Sequence, residues 1–360
     1  LSKYKKKIKM NNVFVFFVEP ASYTIDLINN VHIPKKIGYA FIKSSSYYKE
    51  QQSDSDSLEK MSFSQKINFI VNVFKKNSLI IVNGYNNYVF IFTWMLNLFS
   101  KKKKYIGVES DTQLKSDVPL LKSLIKTLFL KTIFKSKYVI GLAGGTKTHF
   151  DLFLRYGMKR RNIFLLPMVV NNSFYYRKKK YMINKKFSFL VVSRLIKTKN
   201  IEPIIKFFDN HFKNKNALLK IVGDGPLLKR FLEKYQNENI RFYGKLYRDN
   251  LIKEYHNSNV FLMPSYMESW GLVINEAMCS GLPVISRKEV GANHDLITNN
   301  ENGFIANSNQ DFFNKMVTLY QNHELCEKMS KKNIDIMKST WNYNLYADCL
   351  EKIFLFSQNK

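Results

Sequence analysis

The stretch "PSYMESWGLVINEAMCSGLPVIS", residues 264–286, places two acids eight positions apart within an otherwise apolar segment. Gly271 opens a helix-like run that ends before Gly281, a glycine of the kind that follows helix carboxyl termini. Glu268 is therefore expected in the loop before a helix, and Glu276 is expected within the helix itself.

The separation of the two acids suits an extended ligand. Eight residues of helix span about 12 Å, comparable to the distance from a nucleotide's ribose across a diphosphate to an attached sugar. The free amides at the start of the helix, at Gly271, Leu272 and Val273, form a natural phosphate site between the acids. One carboxylate would hold sugar hydroxyls and the other ribose hydroxyls. The structural alternative makes Glu268 a helix-start acid stabilised by the macrodipole and Glu276 an exposed helix residue.

The segments around this stretch alternate between short apolar runs and amphipathic helical patterns. Runs that are apolar throughout are typical of parallel strands covered on both faces. Those of the carboxyl-terminal half are 187–194, 217–225, 240–244, 260–265 and 282–286, and those of the amino-terminal half are 13–18, 78–84, 104–110, 138–143 and 163–167. The pattern predicts an α/β protein with two doubly wound domains in tandem.

The length of the chain also favours two domains. It has 360 residues, and single cores stop growing at about 250–300 residues. The charged segment 176–186, "YRKKKYMINKK", lacks a periodic apolar pattern and is the predicted linker. We therefore assign residues 1–175 to an amino-terminal domain and 187–340 to a carboxyl-terminal domain. Residues 341–360 are expected to form a helix that crosses back to the amino-terminal domain.

Two cations follow the first strand of the carboxyl-terminal half. In "SRLIKTKN", Arg194 lies at the strand end and Lys199 follows it five residues later. Ligands of doubly wound sheets bind at the carboxyl ends of the strands, where such cations would neutralise a diphosphate. In "VGDGP", Gly223 and Gly225 form a tight turn that permits backbone close to a ligand. A solvated basic loop and a simple turn are the alternatives, because each motif taken alone is weak.

The order of these motifs resembles the carboxyl-terminal, nucleotide-sugar-binding domain of the retaining glycosyltransferases of family 4, which have the GT-B fold. The resemblance covers about residues 187–305. It implies two Rossmann-like domains facing a cleft, with Arg194 and Lys199 binding the donor diphosphate. It also implies that Glu268 engages the donor sugar and Glu276 the ribose.

The amino-terminal half resembles the family less. Residues 136–174 are similar to the family's approach to the linker, but no Gly-Gly pair follows the first strand. The segment "GVESDTQ" has no histidine, although the family often carries one after this strand. Glu109 and Asp111 of this segment are therefore the acceptor-site candidates.

The mechanism implied by the resemblance needs no cofactor beyond the nucleotide-sugar donor, which is a substrate. Retaining transfer by such enzymes is thought to proceed on one face of the sugar, with the leaving diphosphate helping to deprotonate the acceptor hydroxyl. No metal is expected, because Arg194 and Lys199 supply positive charge and no metal-ligand spacing is present. The expected acceptor is a saccharide or a lipid-linked molecule, in the synthesis of envelope or capsular polysaccharide or lipopolysaccharide.

The helical pattern of residues 119–137 combines apolar positions with lysines at 122, 126, 131 and 135. Such a basic amphipathic helix suits an anionic bilayer surface, and relatives with lipid-linked acceptors favour that interpretation. The alternative is an ordinary helix packed on the sheet with its lysines in water. We expect a cytoplasmic protein, peripheral on the inner face of the cytoplasmic membrane, because the apolar runs are too short for a secretion signal or a membrane span.

Composition leaves other functional classes open. The net charge of +29 favours anionic partners, and a nucleic-acid-binding protein is one alternative, although an AT-rich genome also enriches lysine. That class leaves the carboxyl-terminal motifs unexplained, so no nucleic-acid partner is expected. Within enzymes, the alternative is another GT-B protein such as a sugar-nucleotide epimerase. The three cysteines form no CxxC pair, which agrees with a reducing compartment.

Overall fold

The chain divides into two compact units, each built on one six-stranded parallel sheet. The computed structural model describes residues 13–31, 37–44, 57–113, 120–177 and 181–358. Unit 1 comprises Leu1–Val169 and Tyr343–Lys360, and unit 2 comprises Val170–Asn342. None of the described helices combines the length and the apolar composition that crossing a membrane requires.

Unit 1 alternates strands with helices along the chain. Its strands are β1 (Val13–Phe17), β2 (Gly38–Phe41), β3 (Leu79–Asn83), β4 (Tyr105–Ser110), β5 (Val139–Ala143) and β6 (Ile163–Leu165). Its helices before the second unit are α1 (Ser22–Asn30), α2 (Phe63–Lys76), α3 (Tyr88–Phe99), α4 (Leu120–Phe134) and α5 (Lys147–Arg155). The strands lie in the order β2-β1-β3-β4-β5-β6, so the direction of winding reverses between β1 and β3.

Unit 2 repeats this alternation. Its strands are β7 (Phe187–Val192), β8 (Ala217–Val222), β9 (Ile240–Phe242), β10 (Val260–Met263), β11 (Val284–Arg287) and β12 (Gly303–Ala306). Its helices are α6 (Asn172–Tyr175), α7 (Ile201–Phe212), α8 (Leu228–Lys234), α9 (Arg248–His256), α10 (Leu272–Cys279), α11 (Asn293–Leu296), α12 (Asn309–Gln321) and α13 (His323–Ser339). The order β12-β11-β10-β7-β8-β9 is that of the Rossmann fold, with its switch point between β7 and β10.

The apolar strands have the environment that their composition predicts. Every residue of β4, β5, β8 and β10 is buried, because helices cover both faces of a doubly wound sheet. Alternation of polar and apolar residues along these strands would place polar groups in a core without water. The prediction of two doubly wound α/β domains is confirmed.

The boundary between the units falls before Val170, not within the predicted linker 176–186. The described residues of that segment are held by unit 2: the Tyr181 hydroxyl donates to the Asn259 carbonyl at 2.8 Å. Upstream of it, the Asn172 side chain donates to the carbonyls of Met337 and Trp341 at 2.8 and 3.0 Å. The charged composition of the segment did not predict these contacts. The Asn172 side-chain amide and the Tyr181 hydroxyl are enough to fix the chain on unit 2, and neither belongs to a periodic pattern.

The last helix, α14 (Tyr343–Gln358), belongs to unit 1. Its Phe356 ring packs against Phe164 of β6 and Tyr105 of β4, with centroid distances of 4.9 and 5.4 Å. Unit 1 is therefore completed by a segment that follows the whole of unit 2 in the sequence.

Candidate active site

The switch point of unit 2 brings two loops together. The loop after β7, residues 193–200, and the loop after β10, residues 264–271, leave neighbouring parallel strands at the same edge. The Tyr266 amide donates to the Thr198 carbonyl at 3.0 Å, which joins the loops directly. We refer to these loops and the helix α10 that follows them as the unit 2 edge. Doubly wound folds bind their ligands in this position.

Lys199 and Glu268, assigned from sequence to a diphosphate and a sugar, form an ion pair at this edge. Their side chains are 14% and 20% exposed. Lys199 ends a short 3₁₀ turn, and the left-handed Asn200 that follows redirects the chain into α7. Glu268 is held by its own backbone, because its carbonyl accepts from the Gly291 amide at 3.1 Å. The pair thus presents a carboxylate and an ammonium group side by side, neither of them fully solvated.

Arg194 differs from Lys199 in its surroundings. Its side chain is exposed, and its guanidinium makes no hydrogen bond or ion pair with the described residues. The Arg194 carbonyl accepts from the Ile196 amide at 3.0 Å, so its backbone is fixed while its side chain is available. A planar guanidinium can bind two phosphate oxygens at once.

Gly223 and Gly225 have their positive φ angles, 137° and 154°, for a reason internal to the fold. A Cβ on Gly223 would lie 1.8 Å from the Ser193 carbonyl oxygen, and one on Gly225 would lie 2.6 Å from that of Leu195. The Leu195 amide also donates to the Asp224 carbonyl at 2.8 Å. The sequence predicted that the backbone of these glycines approaches a ligand. In the structure it approaches the backbone of the loop that carries Arg194, so the two glycines set the position of that loop.

Gly271 begins α10 in the left-handed conformation, with φ 97°. The first-turn amides of Leu272 and Val273 lie at the amino end of this helix, where backbone donors lack intrahelical acceptors. The loop before them is anchored by Trp270, whose indole stacks on Trp341 at 5.4 Å and donates to the Asn275 side chain at 2.9 Å. The predicted helix start at Gly271 is thus present, with the first amides of α10 at its amino end.

Glu276 is half-buried, and the alternative of an exposed helix residue is wrong for it. The Tyr255 hydroxyl of α9 donates to its Oε2 at 2.7 Å. Burial raises the pKa of Glu276 to about 7, although hydrogen bonds from Tyr255 and Tyr175 oppose the rise. Sequence reasoning missed both tyrosines, because each lies far from Glu276 in the chain and in no motif.

A second polar group braces the unit 2 edge. The buried Arg287 at the end of β11 binds both oxygens of Glu289, at 3.1 and 3.0 Å. Its guanidinium also lies 5.2 Å from the centre of the Tyr266 ring. Asn309 accepts from Arg287 and from Asn200, at 3.2 and 3.1 Å, so it links β11 to the loop that carries Lys199. Sequence reasoning did not identify these residues.

Glu109 and Asp111, the acceptor-site candidates, lie at the carboxyl end of β4 in unit 1. Glu109 is buried, and its Oε2 has no hydrogen-bond partner among the described residues. Burial raises its pKa to about 7, an effect that Asn83 opposes and Asp111 reinforces. Burial also raises the pKa of Asp111, while the neighbouring His149 opposes that rise. His149 of α5 is thus close enough to influence Asp111, a proximity that sequence reasoning missed.

Comparison with known proteins agrees with the fold and with the unit 2 edge. Residues 175–335 match the family model described as "Glycosyl transferases group 1". The chain is 27% identical over 177 residues to the alpha-monoglucosyldiacylglycerol synthase of Acholeplasma laidlawii, covering 48% of this chain and 44% of the relative. It is 27% identical over 203 residues to a probable sucrose-phosphate synthase of Thermosipho melanesiensis, covering 53% and 47%. The match thus spans less than half the length of each of these relatives.

Solved structures show the same architecture over nearly the whole chain. Crystal structures of Anabaena HepE in complex with UDP and with UDP-glucose superpose with TM-scores of 0.73 and 0.72, at 13% identity. They cover 96% and 95% of this chain, and 100% and 99% of HepE. At this identity the likeness shows the fold alone, which is the predicted GT-B arrangement of two parallel sheets. The match over 175–335 makes this part of the chain similar to the glycosyl transferases group 1 family.

Proposed function

We propose that the protein is a retaining glycosyltransferase that moves a sugar from a UDP- or GDP-linked donor to a saccharide or lipid-linked acceptor. The observation that carries the proposal is the Lys199–Glu268 pair beside the amino end of α10, at the switch point of a group 1 domain. This geometry offers a cation and helix amides for phosphate, next to a carboxylate for hydroxyl groups.

The proposed roles follow from the charge of each group. Arg194, Lys199 and the first amides of α10 bind the diphosphate and stabilise the charge that develops as it leaves. Glu268 accepts hydrogen bonds from sugar hydroxyls, and Glu276 accepts them from the ribose. Binding of a diphosphate would draw Lys199 from Glu268 towards the phosphate oxygens, and this would leave the carboxylate free for the sugar.

The proposed transfer forms one bond and breaks one bond on the same face of the sugar. The bond between the anomeric carbon and the diphosphate oxygen breaks, and the acceptor oxygen bonds to that carbon. The acceptor proton passes to the leaving diphosphate, so no protein nucleophile is required. Glu109 and Asp111 are proposed to bind the acceptor, for which a protonated Glu109 offers a donor and an acceptor.

The donor and acceptor classes are supported by what the similar proteins are named for. HepE is described in complex with UDP and UDP-glucose, and the Acholeplasma relative is named for a glucosylated diacylglycerol. These names support a nucleotide-sugar donor and an acceptor linked to the cell envelope. A role in envelope or capsular polysaccharide or lipopolysaccharide synthesis is part of this proposal.

The direct test is donor turnover. The protein is incubated with UDP-, GDP- and ADP-sugars, and the released nucleoside diphosphate is measured with and without candidate acceptors, with and without a chelator. We expect turnover of one donor class, an unchanged anomeric configuration in the product by NMR, and full activity in the chelator. An epimerised donor formed without transfer would instead establish the epimerase alternative, and loss of activity in chelator would contradict metal-free transfer.

Peripheral membrane binding through residues 119–137 is also part of the proposal. Residue 119 and the Lys122 side chain lie outside the described residues, and the Lys126 amine lies over the rings of Tyr85 and Tyr156. Exposed positions at helical spacing are Leu124, Leu128 and Lys131 on α4 and Lys135 just after its end, and Leu128 is 73% exposed. A stripe of this kind presents apolar and basic groups together, as interfacial helices do.

Vesicle co-sedimentation tests this part separately. The change Lys131→Glu with Lys135→Glu is expected to weaken binding to anionic vesicles, and binding by the native protein is expected to fall with salt. Leu128→Ser should weaken binding at every salt concentration, because it removes apolar area. Equal binding to neutral vesicles, or none at all, would return α4 to an ordinary packed helix.

A further inference from the structure

A cavity of about 760 Å³ lies at the amino ends of β3, β4 and β5 in unit 1, the opposite edge of that sheet from Glu109 and Asp111. Seven lysines line it: Lys75, Lys76, Lys137 and the run 101–104. We call it the lysine cavity. The other described residues that line it are Asn77, Ser78, Tyr105, Tyr138, Ser357 and Gln358, and none of these is an acid. Its size lies within the range of small-molecule sites, about 300–1,000 Å³.

The amines of two of the seven lysines donate hydrogen bonds within the described residues, and the Lys137 amine lies 5.6 Å from the centre of the Tyr138 ring. The Lys103 amine donates to the carbonyls of Asn97 and Leu98, at 2.9 and 2.7 Å, where α3 ends. The Lys104 amine donates to the carbonyls of Lys75 and Asn77, at 2.9 and 2.5 Å, where α2 ends. These bonds satisfy the negative ends of the two helices, so the helix ends do not neutralise the remaining lysines.

The other five lysines, at 75, 76, 101, 102 and 137, are exposed around the same concavity. Among the described residues, none of the seven forms an ion pair with an acid. Less exposed lysines of unit 2 behave differently: the partly buried Lys199 pairs with Glu268, and the buried Lys220 pairs with Glu254 at 2.9 Å. Burial, with a further contribution from the charge of Lys102, lowers the pKa of Lys104.

General enrichment of the chain in lysine does not account for this arrangement. Lysines on a convex surface separate and are solvated individually, whereas here runs from two loops and a third segment meet around one cavity. Like charges held this close repel each other unless an anion lies between them. An ammonium group binds phosphate well as a point charge, and several around one cavity suit a ligand with more than one negative charge.

We propose that the lysine cavity is a binding site for a phosphate-bearing ligand, either a soluble di- or polyphosphate or the headgroup of an anionic phospholipid. The site is distinct from the unit 2 edge, and it does not depend on the proposed transfer reaction. The lysines at 75, 76, 101, 102 and 137 bind the phosphate oxygens, while Lys103 and Lys104 hold the two helix ends that form the cavity wall.

The test compares two variants of equal charge change. Lys101→Glu with Lys102→Glu reverses two exposed lysines of the cavity, and Lys328→Glu with Lys331→Glu reverses two exposed lysines of α13 in unit 2. Pyrophosphate is titrated into each protein by calorimetry. We expect binding to weaken about ten-fold or more in the cavity variant and to change little in the α13 variant. Lys101→Gln with Lys102→Gln, which introduces no acid, should give a smaller loss in the same direction.

A second arm separates the sources of phosphate. Neutral vesicles and vesicles containing phosphatidic acid are sedimented with the same variants and with Lys131→Glu/Lys135→Glu, which leaves the cavity intact. Binding of either probe that is lost in the cavity variant supports the site and identifies its source. Arg194→Ala serves as the control for phosphate bound at the unit 2 edge. Equal affinity of the cavity and α13 variants for both probes, or loss only in Arg194→Ala, would overturn the proposal.

Discussion

The carboxyl edge of the unit 2 sheet is formed largely by backbone groups, whereas that of the unit 1 sheet is formed by side chains. The edge of unit 2 consists largely of backbone held in place by glycines, with a helix start, two cations and two acids added. The edge of unit 1 consists of side chains, with the buried Glu109 at the end of β4, the half-buried Asp111 after it, and His149 of α5 near Asp111. Backbone with positive φ angles requires glycine at fixed positions, so it produces a recognisable sequence motif. A site built from side chains can draw its residues from elements that are distant in the sequence, so it produces no such motif. The family match, over 175–335, lies within unit 2.

The largest effect is expected where backbone approaches backbone. Gly223→Ala places a Cβ 1.8 Å from the Ser193 carbonyl oxygen, whereas at Gly244, with φ 63°, nothing lies within 4 Å of a Cβ. Gly244→Ala should therefore cost only the left-handed conformation, about 1–2 kcal/mol. Gly223→Ala should lower the free energy of unfolding by about 3–5 kcal/mol, or displace the Arg194 loop, and abolish nucleotide binding. Urea denaturation with equal losses in both variants would contradict this account.

The next effect concerns charge at the unit 2 edge. Glu268→Gln and Arg194→Lys should each lower kcat/KM about 100-fold, because an electrostatic contact is lost in the transition state. The matched control is Glu254→Gln, which breaks a second half-buried lysine–glutamate pair of the same unit. That control should lower stability and leave kcat/KM per folded molecule unchanged. Full activity of Glu268→Gln would remove Glu268 from the site.

The two acids with raised pKa values allow the two edges to be compared directly. Burial raises the pKa of both Glu276 and Glu109 from 4.5 to about 7. The folded state therefore favours their protonated forms, so the contribution of these two groups to stability is highest below pH 4.5 and falls as pH rises towards 7. Glu276→Gln and Glu109→Gln should each raise the free energy of unfolding at pH 8 by about 1–3 kcal/mol, and by little at pH 4.5.

Only one of these two variants should alter nucleotide binding. Glu276→Gln is expected to weaken nucleoside diphosphate binding by about ten-fold, since an ionised acceptor for the ribose is lost. Binding by the native protein should likewise weaken as pH falls below 7, while Glu109→Gln should bind as the native protein does. Calorimetry across this pH range checks both outcomes. Unchanged affinity of Glu276→Gln would leave Glu276 with a structural role only.

The smallest effect is expected at the unit 1 edge. Asp111→Asn keeps the size of the side chain and one acceptor oxygen, so it should raise KM for the acceptor a few-fold, by about 1 kcal/mol. Hydrolysis of the donor in the absence of acceptor should not change. Kinetics with the acceptor varied at saturating donor provide the measurement. A change confined to donor hydrolysis would place Asp111 outside the acceptor site.

Much of the fold followed from local pattern, and the exceptions have physical causes. The apolar runs predicted five strands in each unit, and the structure adds β2 and β12 (Gly38–Phe41 and Gly303–Ala306), each of four residues. Strands that short carry too few residues for a pattern to be distinguished from a loop. Similarly, the segment 176–186 was predicted as a linker from its charge, although Tyr181 and its neighbours are hydrogen-bonded within unit 2.

The sequence by itself determined the unit 2 edge as far as backbone geometry reaches. Gly223, Gly225 and Gly271 had to be glycines because their positive φ angles and close approaches exclude a Cβ. The positions of Arg194, Lys199 and Glu268 follow from the strands that precede them, since strand ends are local features of the chain.

Only the tertiary structure decided which groups meet across distant segments. It pairs Glu276 with Tyr255, brings His149 near Asp111, and gathers lysines from positions 75 to 137 around one cavity. Each of these groupings depends on the position at which a helix packs against its sheet. The protonation of the acids depends in addition on the cost of burying a charge. A pKa of about 7 for a glutamate is a property of the surrounding dielectric and partners, and no spacing of residues along the chain encodes it.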